Sequence, residues 1–463
     1  MKKIEKNLYY VEVVFKICYL LMAIATFCSS IYDSPIQPFL IRVVLVTGGI
    51  TLLGRLCFFR KYLKMPVLIL LIAFCVSFAI STVANYEHGI VENGKWIIWT
   101  GMQFMLLYVC DLEKEHSIYC KEFELFAKVF IGYTAVASLI SIGMMVVLYS
   151  KMWYTSLGEV LIEGFQWGRL WGIFTDVNYG ASYIVIGIIL AAYFIMKKKA
   201  KYKWIYKIAI GSNSLYLIFS DSRTAYVALV CGLGVVFFMK NWLNKRDEKG
   251  FKRIRISLTA MMLAAIIPIS GVYLTRFVYQ EFVYEKHMGM ARSEEVKEEI
   301  KTAKEERKTN VESDVSSGRI SLWKASIELI AEKPIVGVGY FTLFEYVQEH
   351  LPKSYIIYNA HGGQYTSLHN QFLNVAAYQG ILGLLIFCAI IVYLLKYIWK
   401  TIFSAPEEDS LYLAALCGSI CVLVVVMMLT LEGIYTISPG SFILWTYLGY
   451  LVHYVKCKKR ENA

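Results

Sequence analysis

Three arginines and one histidine stand where long apolar runs meet polar connections: Arg169, Arg223, Arg319 and His369. Arg319 opens a helical pattern directly after Ser316-Ser317-Gly318. A helix start offers unpaired N–H groups and the positive end of the helix dipole, and a guanidinium adds a planar fork that matches phosphate oxygens. Arg223 lies in Ser220-Asp221-Ser222-Arg223-Thr224, between two apolar runs, and Arg169 lies in Trp167-Gly168-Arg169-Leu170-Trp171. His369 belongs to Ser367-Leu368-His369-Asn370-Gln371, where a polar stretch re-enters an apolar run. A helix start disfavours imidazolium, which keeps such a histidine neutral and able to take a proton. The set suits an anionic headgroup with a base beside it. Each member also has a plainer reading. Arg223 could be a snorkelling anchor or a partner of Asp221, Arg319 a surface arginine, and His369 an interfacial histidine with a structural hydrogen bond.

The elements that must position these residues are helices of membrane-spanning length. Of 463 residues, 57% are hydrophobic and only 18% charged, where a soluble domain carries about 25% charged residues. Aromatics reach 15%, which suits Trp and Tyr gathered at membrane interfaces; Trp167 and Trp171 read as such anchors. About twenty apolar residues make a spanning helix. Twelve segments qualify, near 11–32, 38–58, 65–84, 95–111, 123–149, 173–196, 205–220, 224–240, 256–275, 371–395, 411–431 and 439–455. The first is long enough to span and shows no persuasive cleavage site, so it is expected to stay as a helix.

The net charge of +12 does not point to nucleic acid, because the basic residues fall in short clusters between apolar runs. Lys197, Lys198, Lys199, Lys201 and Lys203 form one; Lys240, Lys245, Arg246, Lys249, Lys252, Arg253 and Arg255 form another. Arg60, Lys61, Lys64, Lys114, Lys121, Lys396, Lys400 and the basic tail fall on the same side. These mark the cytoplasmic face and also meet anionic lipid. Both termini are then inside the cell, and the four site residues are on the outer face of the cytoplasmic membrane. The expected organisation is helices one to nine over 1–275, a large external loop over 276–370, and helices ten to twelve with the tail over 371–463. A second external segment covers 150–172.

Within the large loop, 294–307 reads as a solvated helix with opposite charges at neighbouring turns. Further on, Ile320, Trp323, Ile327 and Ile330 recur at helical spacing as one apolar face, with Ser317 as the cap and Pro334 beyond the end. That helix is expected to lie against the bundle or the bilayer. No phosphate-binding glycine loop, dinucleotide fingerprint, metal-ligand pair or nucleophile elbow occurs. The eleven cysteines show neither metal spacing nor a disulfide framework. The interiors of the spans look nearly free of charge, which disfavours a transporter. Glu432, near the outer end of the eleventh span, is the exception. A lipid-linked diphosphate in the outer leaflet is an anion of the kind the arginines suit.

These residues resemble the O-antigen ligase and Wzy polysaccharide polymerase superfamily. The resemblance rests on Gly318-Arg319, Leu322-Trp323, Pro334, Gly337-Val338-Gly339, His369-Asn370, Leu373 and Gly380-Ile381-Leu382-Gly383-Leu384. Ser222-Arg223-Thr224 and the stretch from Arg169 to Asn178 add to it. It covers roughly the second two-thirds of the chain; the charged insertion 294–314 and the N-terminal third have no counterpart in the pattern. The resemblance implies an all-α polytopic bundle and a metal-independent glycosyltransferase, without cofactor, that uses an undecaprenyl-diphosphate-linked glycan. Arg319, Arg223 and Arg169 would bind the diphosphate, Arg319 would also stabilise the leaving group, and His369 would activate the acceptor hydroxyl. A chain-length regulator and a flippase are the protein partners it implies. The short tail and lack of an added soluble domain tilt the expectation toward a polymerase, with ligase-type transfer to another acceptor as the alternative.

Overall fold

A computed structural model describes residues 2–278 except 88, 156–159, 167, 200, 246, 247 and 249, then 288–289, 297–298, 301, 318–357, 365, 367–430 and 433–461. Trp167, Ser317, Glu432 and nearly all of the charged stretch 294–314 lie outside the described residues.

The described chain is mostly helical, and each of the twelve apolar segments is a helix. In chain order these are α1 (Lys2–Thr26), a short α2 (Ser29–Tyr32), α3 (Ile36–Cys57), α4 (Leu68–Ala84), α5 (Ile90–Met102), α6 (His116–Val146), α7 (Val177–Met196), α8 (Lys203–Ser220), α9 (Arg223–Asn244) and α10 (Gly250–Val278). After the large loop come α11 (Arg319–Glu332), α12 (Leu343–His350), α13 (Gln371–Phe403), α14 (Ser410–Met427) and α15 (Pro439–Glu461). Seven of them are long and apolar enough to cross a membrane by length and composition: α1, α3, α6, α7, α9, α13, and α14 with the short turn before it. The protein is a polytopic all-α membrane protein, and among the described residues seven of the twelve expected spans meet this criterion.

Burial sorts the helices. α7 is apolar all round and 78% buried over its span, whereas α3 is only 17% buried and turns Val46, Ile50, Leu53 and Leu56 outward. A helix hydrophobic on every side belongs inside a bundle. α9 lies closely against α14, because Gly232 and Gly418 face each other across the contact: a β-carbon at either would meet the other's carbonyl oxygen. Small residues let membrane helices approach in this way, and here the approach sets the start of α9 beside the end of α14.

Two features depart from the sequence expectation. The segment 150–172 is not a plain connection. It forms a three-stranded antiparallel sheet in the order β1 (Ser150–Tyr154), β2 (Val160–Gln166), β3 (Arg169–Gly172), with Tyr154 opposite Val160 and Gln166 opposite Arg169. Its short β-branched and aromatic runs punctuated by glycine are a strand signal that the surrounding helical pattern masks. The span interiors are also less free of charge than expected. Near the starts of α1 and α6 and the end of α3, Glu12 binds Arg55 at 2.8 Å and Lys114 at 3.0 Å, and Lys16 binds Glu122 at 2.5 Å. Arg55 also donates to the carbonyls of Met105 and Val109 that end the turn after α5.

Candidate functional site

α13 does not run straight. At Gly380 (φ 65°, ψ −166°) the helix breaks, and the freed backbone groups are taken up by the turn after α11. Val338 N–H donates to the Ala377 carbonyl at 2.8 Å, Gly339 N–H to Tyr378 at 3.0 Å, and Ile381 N–H to Pro334 at 2.8 Å. A broken helix survives at membrane depth only when other groups satisfy its backbone. Gly337 makes the close approach possible, since a β-carbon there would stand 2.5 Å from the Ala377 carbonyl oxygen. The N-terminal third steadies the same turn: Asn85 Nδ2 donates to the Gly337 carbonyl at 3.1 Å, and Asn93 Oδ1 accepts from Phe341 N–H at 2.9 Å. The glycine turn thus locks α11 onto the outer segment of α13.

α11 itself turns a different face inward from the one the spacing predicts. Leu322, Ala325, Ser326 and Leu329 are buried, while Ile320 and Ile327 are 55% and 61% exposed. Both stripes have helical spacing, and sequence periodicity alone cannot choose between two partly apolar faces. The N-cap is Gly318 in the left-handed region (φ 79°).

Four helix starts meet outside the end of α14. α7 is capped by Asp176, whose carboxylate accepts from Asn178 N–H at 2.8 Å and Tyr179 N–H at 2.9 Å. α9 is capped by Ser222, whose hydroxyl donates to Asn178 Oδ1 at 3.0 Å. α11 begins at Arg319, whose Nη2 donates to Thr224 Oγ1 on α9 at 3.2 Å. α13 is capped by Asn370, which accepts from Phe372 N–H at 3.0 Å and Leu373 N–H at 3.3 Å. Arg169, on β3, donates to the Ser220 carbonyl at 2.9 Å and to Asn178 Oδ1 at 3.2 Å. That ties the sheet to the end of α8 and the start of α7.

The end of α14 is the common anchor. A helix C-terminus presents unpaired carbonyls and the negative end of the dipole, and the carbonyls of Met428, Leu429 and Thr430 each hold a site side chain. Met428 accepts from Asn370 Nδ2 at 3.3 Å, and Leu429 from Arg319 Nε at 2.6 Å. Thr430 accepts from both His369 Nδ1 at 3.2 Å and the Tyr179 hydroxyl at 3.1 Å. A carbonyl oxygen can only accept, so Nδ1 of His369 carries its proton and the neutral ring keeps its lone pair on Nε2.

His369 is held in the left-handed region at φ 52°, where few residues other than glycine rest without support. Asn374 supplies it: its Oδ1 accepts from Leu368 N–H at 2.9 Å and its Nδ2 donates to Ser367 Oγ at 3.2 Å. Burial pushes the imidazole pKa below the ordinary histidine value, and the Arg319 charge acts in the same direction. The Thr430 bond and Asp176 oppose them. Tyr365 meets the ring edge-to-face with centroids 5.5 Å apart.

The four sequence candidates therefore belong to one linked assembly. Arg319 and His369 share the α14 anchor, Arg319 reaches the start of α9 where Arg223 stands, and Arg169 joins through Asn178. Tyr179, Thr224, Asn374 and the Thr430 carbonyl are additions that sequence reading missed. The cap pattern Asp176-Val177-Asn178-Tyr179 signals the start of α7; nothing in sequence announces that a backbone carbonyl collects donors from distant segments.

Residues 208–388 match the family model described as O-antigen ligase. No curated protein matches the chain. The match begins within α8 and runs through Arg223, Arg319, the Gly337-Val338-Gly339 turn and His369 to the broken part of α13. The chain is thus a polytopic membrane protein in which residues 208–388 are similar to the O-antigen ligase family, within the O-antigen ligase and Wzy superfamily.

Proposed function

We propose that the protein joins undecaprenyl-diphosphate-linked oligosaccharide repeat units into a cell-surface polysaccharide on the outer face of the cytoplasmic membrane. The observation that supports this reading is the convergence of four helix starts at the end of α14, with Arg319 and His369 held on the neighbouring carbonyls of Leu429 and Thr430 and the His369 lone pair on Nε2. Helix starts and guanidiniums favour a multiply charged phosphate, and the histidine supplies a proton acceptor beside it.

In this reaction His369 Nε2 takes the proton from an acceptor sugar hydroxyl. The hydroxyl oxygen attacks the anomeric carbon of the donor glycan, a new C–O bond forms, and the bond from that carbon to the diphosphate oxygen breaks. The electron pair leaves with the lipid diphosphate, whose growing charge is met by Arg319, Arg223 and the helix starts. Arg169 holds the start of α7 to the end of α8 and adds positive charge. Among the described residues no three His, Cys, Asp or Glu side chains group as a metal site would need, so the proposal assigns charge stabilisation to the arginines.

Transfer to a different acceptor, as a ligase, uses the same donor chemistry and is the second reading. The test is the full-length protein purified in detergent with lipid-diphosphate-linked repeat units, chelator and no nucleotide sugar, read as a glycan ladder on a gel. A ladder from the wild type is expected. It should be lost, by about 10²-fold or more in rate, in folded His369→Ala and folded Arg319→Ala. A ladder undiminished in His369→Ala overturns the base assignment. Transfer of a single glycan to an added lipid acceptor, with no ladder, establishes the ligase reading.

A further inference from the structure

Between the base and the diphosphate-binding arginine stands a pair of tyrosines to which the reaction above gives no task. Tyr365 faces His369 edge-on, with the ring planes 86° apart. Tyr355 lies nearly parallel to Tyr365, with centroids 6.1 Å apart and planes 23° apart, and their side chains share a hydrogen bond. Their hydroxyl ends meet at the N-cap of α11. A β-carbon at Gly318, one residue before Arg319, would stand 2.6 Å from the Tyr355 hydroxyl and 3.7 Å from that of Tyr365. The pair therefore runs from the base at one end to the diphosphate arginine at the other.

The pair is held firmly. Tyr365 N–H donates to the Ile356 carbonyl at 3.2 Å, joining the two stretches of chain, and Ile356 is fully buried. The rings themselves are only half-buried, unlike Tyr378 and Tyr435, which are sealed in the core. The rings pack against the hydrophobic core on one side and keep part of their surface exposed beside His369. They suit a ligand with an apolar face and polar edges.

We propose that Tyr355 and Tyr365 form the wall on which the first pyranose of the donor stacks, next to its diphosphate. The proposal rests on the lipid-diphosphate reading above and names the part of the substrate that reading leaves unplaced. The anomeric carbon must lie between the diphosphate oxygen held near Arg319 and the acceptor oxygen held near His369, so its ring occupies the interval that the tyrosines border. Pyranose C–H bonds carry slight positive charge and meet the electron-rich face of an aromatic ring, while the two phenol hydroxyls meet sugar hydroxyls. The wall recognises a saccharide ring and is indifferent to the lipid chain.

The test is equilibrium binding to the full-length protein in nanodiscs, with undecaprenyl diphosphate and undecaprenyl diphosphate bearing one pyranose as the two probes. Tyr365→Ala is expected to weaken the sugar-bearing lipid about tenfold and leave the sugar-free lipid unchanged, while Tyr365→Phe keeps most of the affinity. Tyr355→Ala, which leaves Tyr365 in place, should weaken the sugar-bearing lipid in the same selective way and stands in if Tyr365→Ala does not fold. Equal weakening of both lipids would make the pair a support for Arg319 and overturn the proposal, as would no change in either. A wild type that binds neither probe overturns the lipid-diphosphate reading instead, whereas one that binds both with equal affinity removes the sugar wall alone.

Discussion

His369 sits where four influences on its proton meet. Burial and the Arg319 charge disfavour imidazolium, while the Thr430 carbonyl and Asp176 favour it, and the balance leaves the pKa lowered. Tyr365 borders the same space, and burial raises its phenol pKa above the ordinary value. The sign for catalysis follows. The active form is the neutral base, so activity is full above the folded pKa and falls as pH drops through it. The acid limb of kcat/KM should therefore lie below about 6.5, the unperturbed histidine value, and a pH–rate profile of the purified protein checks this. A limb above that value would mean that a different group, or a differently placed histidine, is being titrated. The residue types were legible from sequence: an arginine beginning a helix and a histidine before another are visible as spacing. The tautomer was not, because it depends on a carbonyl sixty-one positions away in the chain.

The broken α13 and the turn packed into it are the element on which the site's geometry depends. The Gly337-Val338-Gly339 turn has little meaning in the sequence beyond flexibility. In the fold it replaces the missing helical partners of Ala377, Tyr378 and Ile381. Gly380→Ala would put a side chain against the Ile335 carbonyl at a positive φ, and Gly337→Ala one against Ala377 and Tyr378. Left-handed backbone alone costs a residue with a β-carbon about 1–2 kcal/mol, and the clash adds to it, so each variant should lose about 2 kcal/mol or more. Gly49→Ala on α3 is the control: nothing lies within 4 Å of its added carbon, and alanine in a helix is favoured over glycine by about 0.5–1 kcal/mol. Thermal unfolding in detergent should show the first two shifted down and the third unchanged or slightly up. Equal behaviour of all three would remove the break as a structural requirement. The choice of inward face on α11 belongs to this scale too. The face that carries Leu322 and Leu329 is buried, and α11 packs against α13.

Across the whole molecule, two polar assemblies lie at opposite ends of the bundle. One is the site, where α7, α9, α11 and α13 begin. The other is the buried cluster of Glu12, Lys16, Arg55, Lys114 and Glu122, near the starts of α1 and α6 and the end of α3. Glu12 and Arg55 are 4% and 5% exposed, so removing one charge strands another without water. Arg55→Met should cost about 3–5 kcal/mol, and combining it with Glu12→Leu should recover much of that loss. Thermal stability of the two variants in detergent measures the difference. A single variant as stable as the wild type would mean that the cluster does not hold the N-terminal helices. This assembly explains how the N-terminal third, with no motif of its own, still serves the site. It fixes α1, α3 and the turn after α5, and the neighbouring α4 carries Ser81 to the Tyr378 carbonyl at 2.6 Å beside the break.

The helical class, the positions of the twelve apolar segments and the four polar candidates are local properties. Each depends on composition or spacing within a few turns of helix, and such signals survive in the linear chain. Which helices are inside, which face of α11 is buried, where α13 breaks and which carbonyls orient His369 are decided by contacts between segments hundreds of positions apart. The small sheet shows the same division. Its strand-like runs are present in the linear chain, but β3 is held to the site through the bonds Arg169 makes to Ser220 and Asn178, and those exist only once α7, α8 and β3 are packed together.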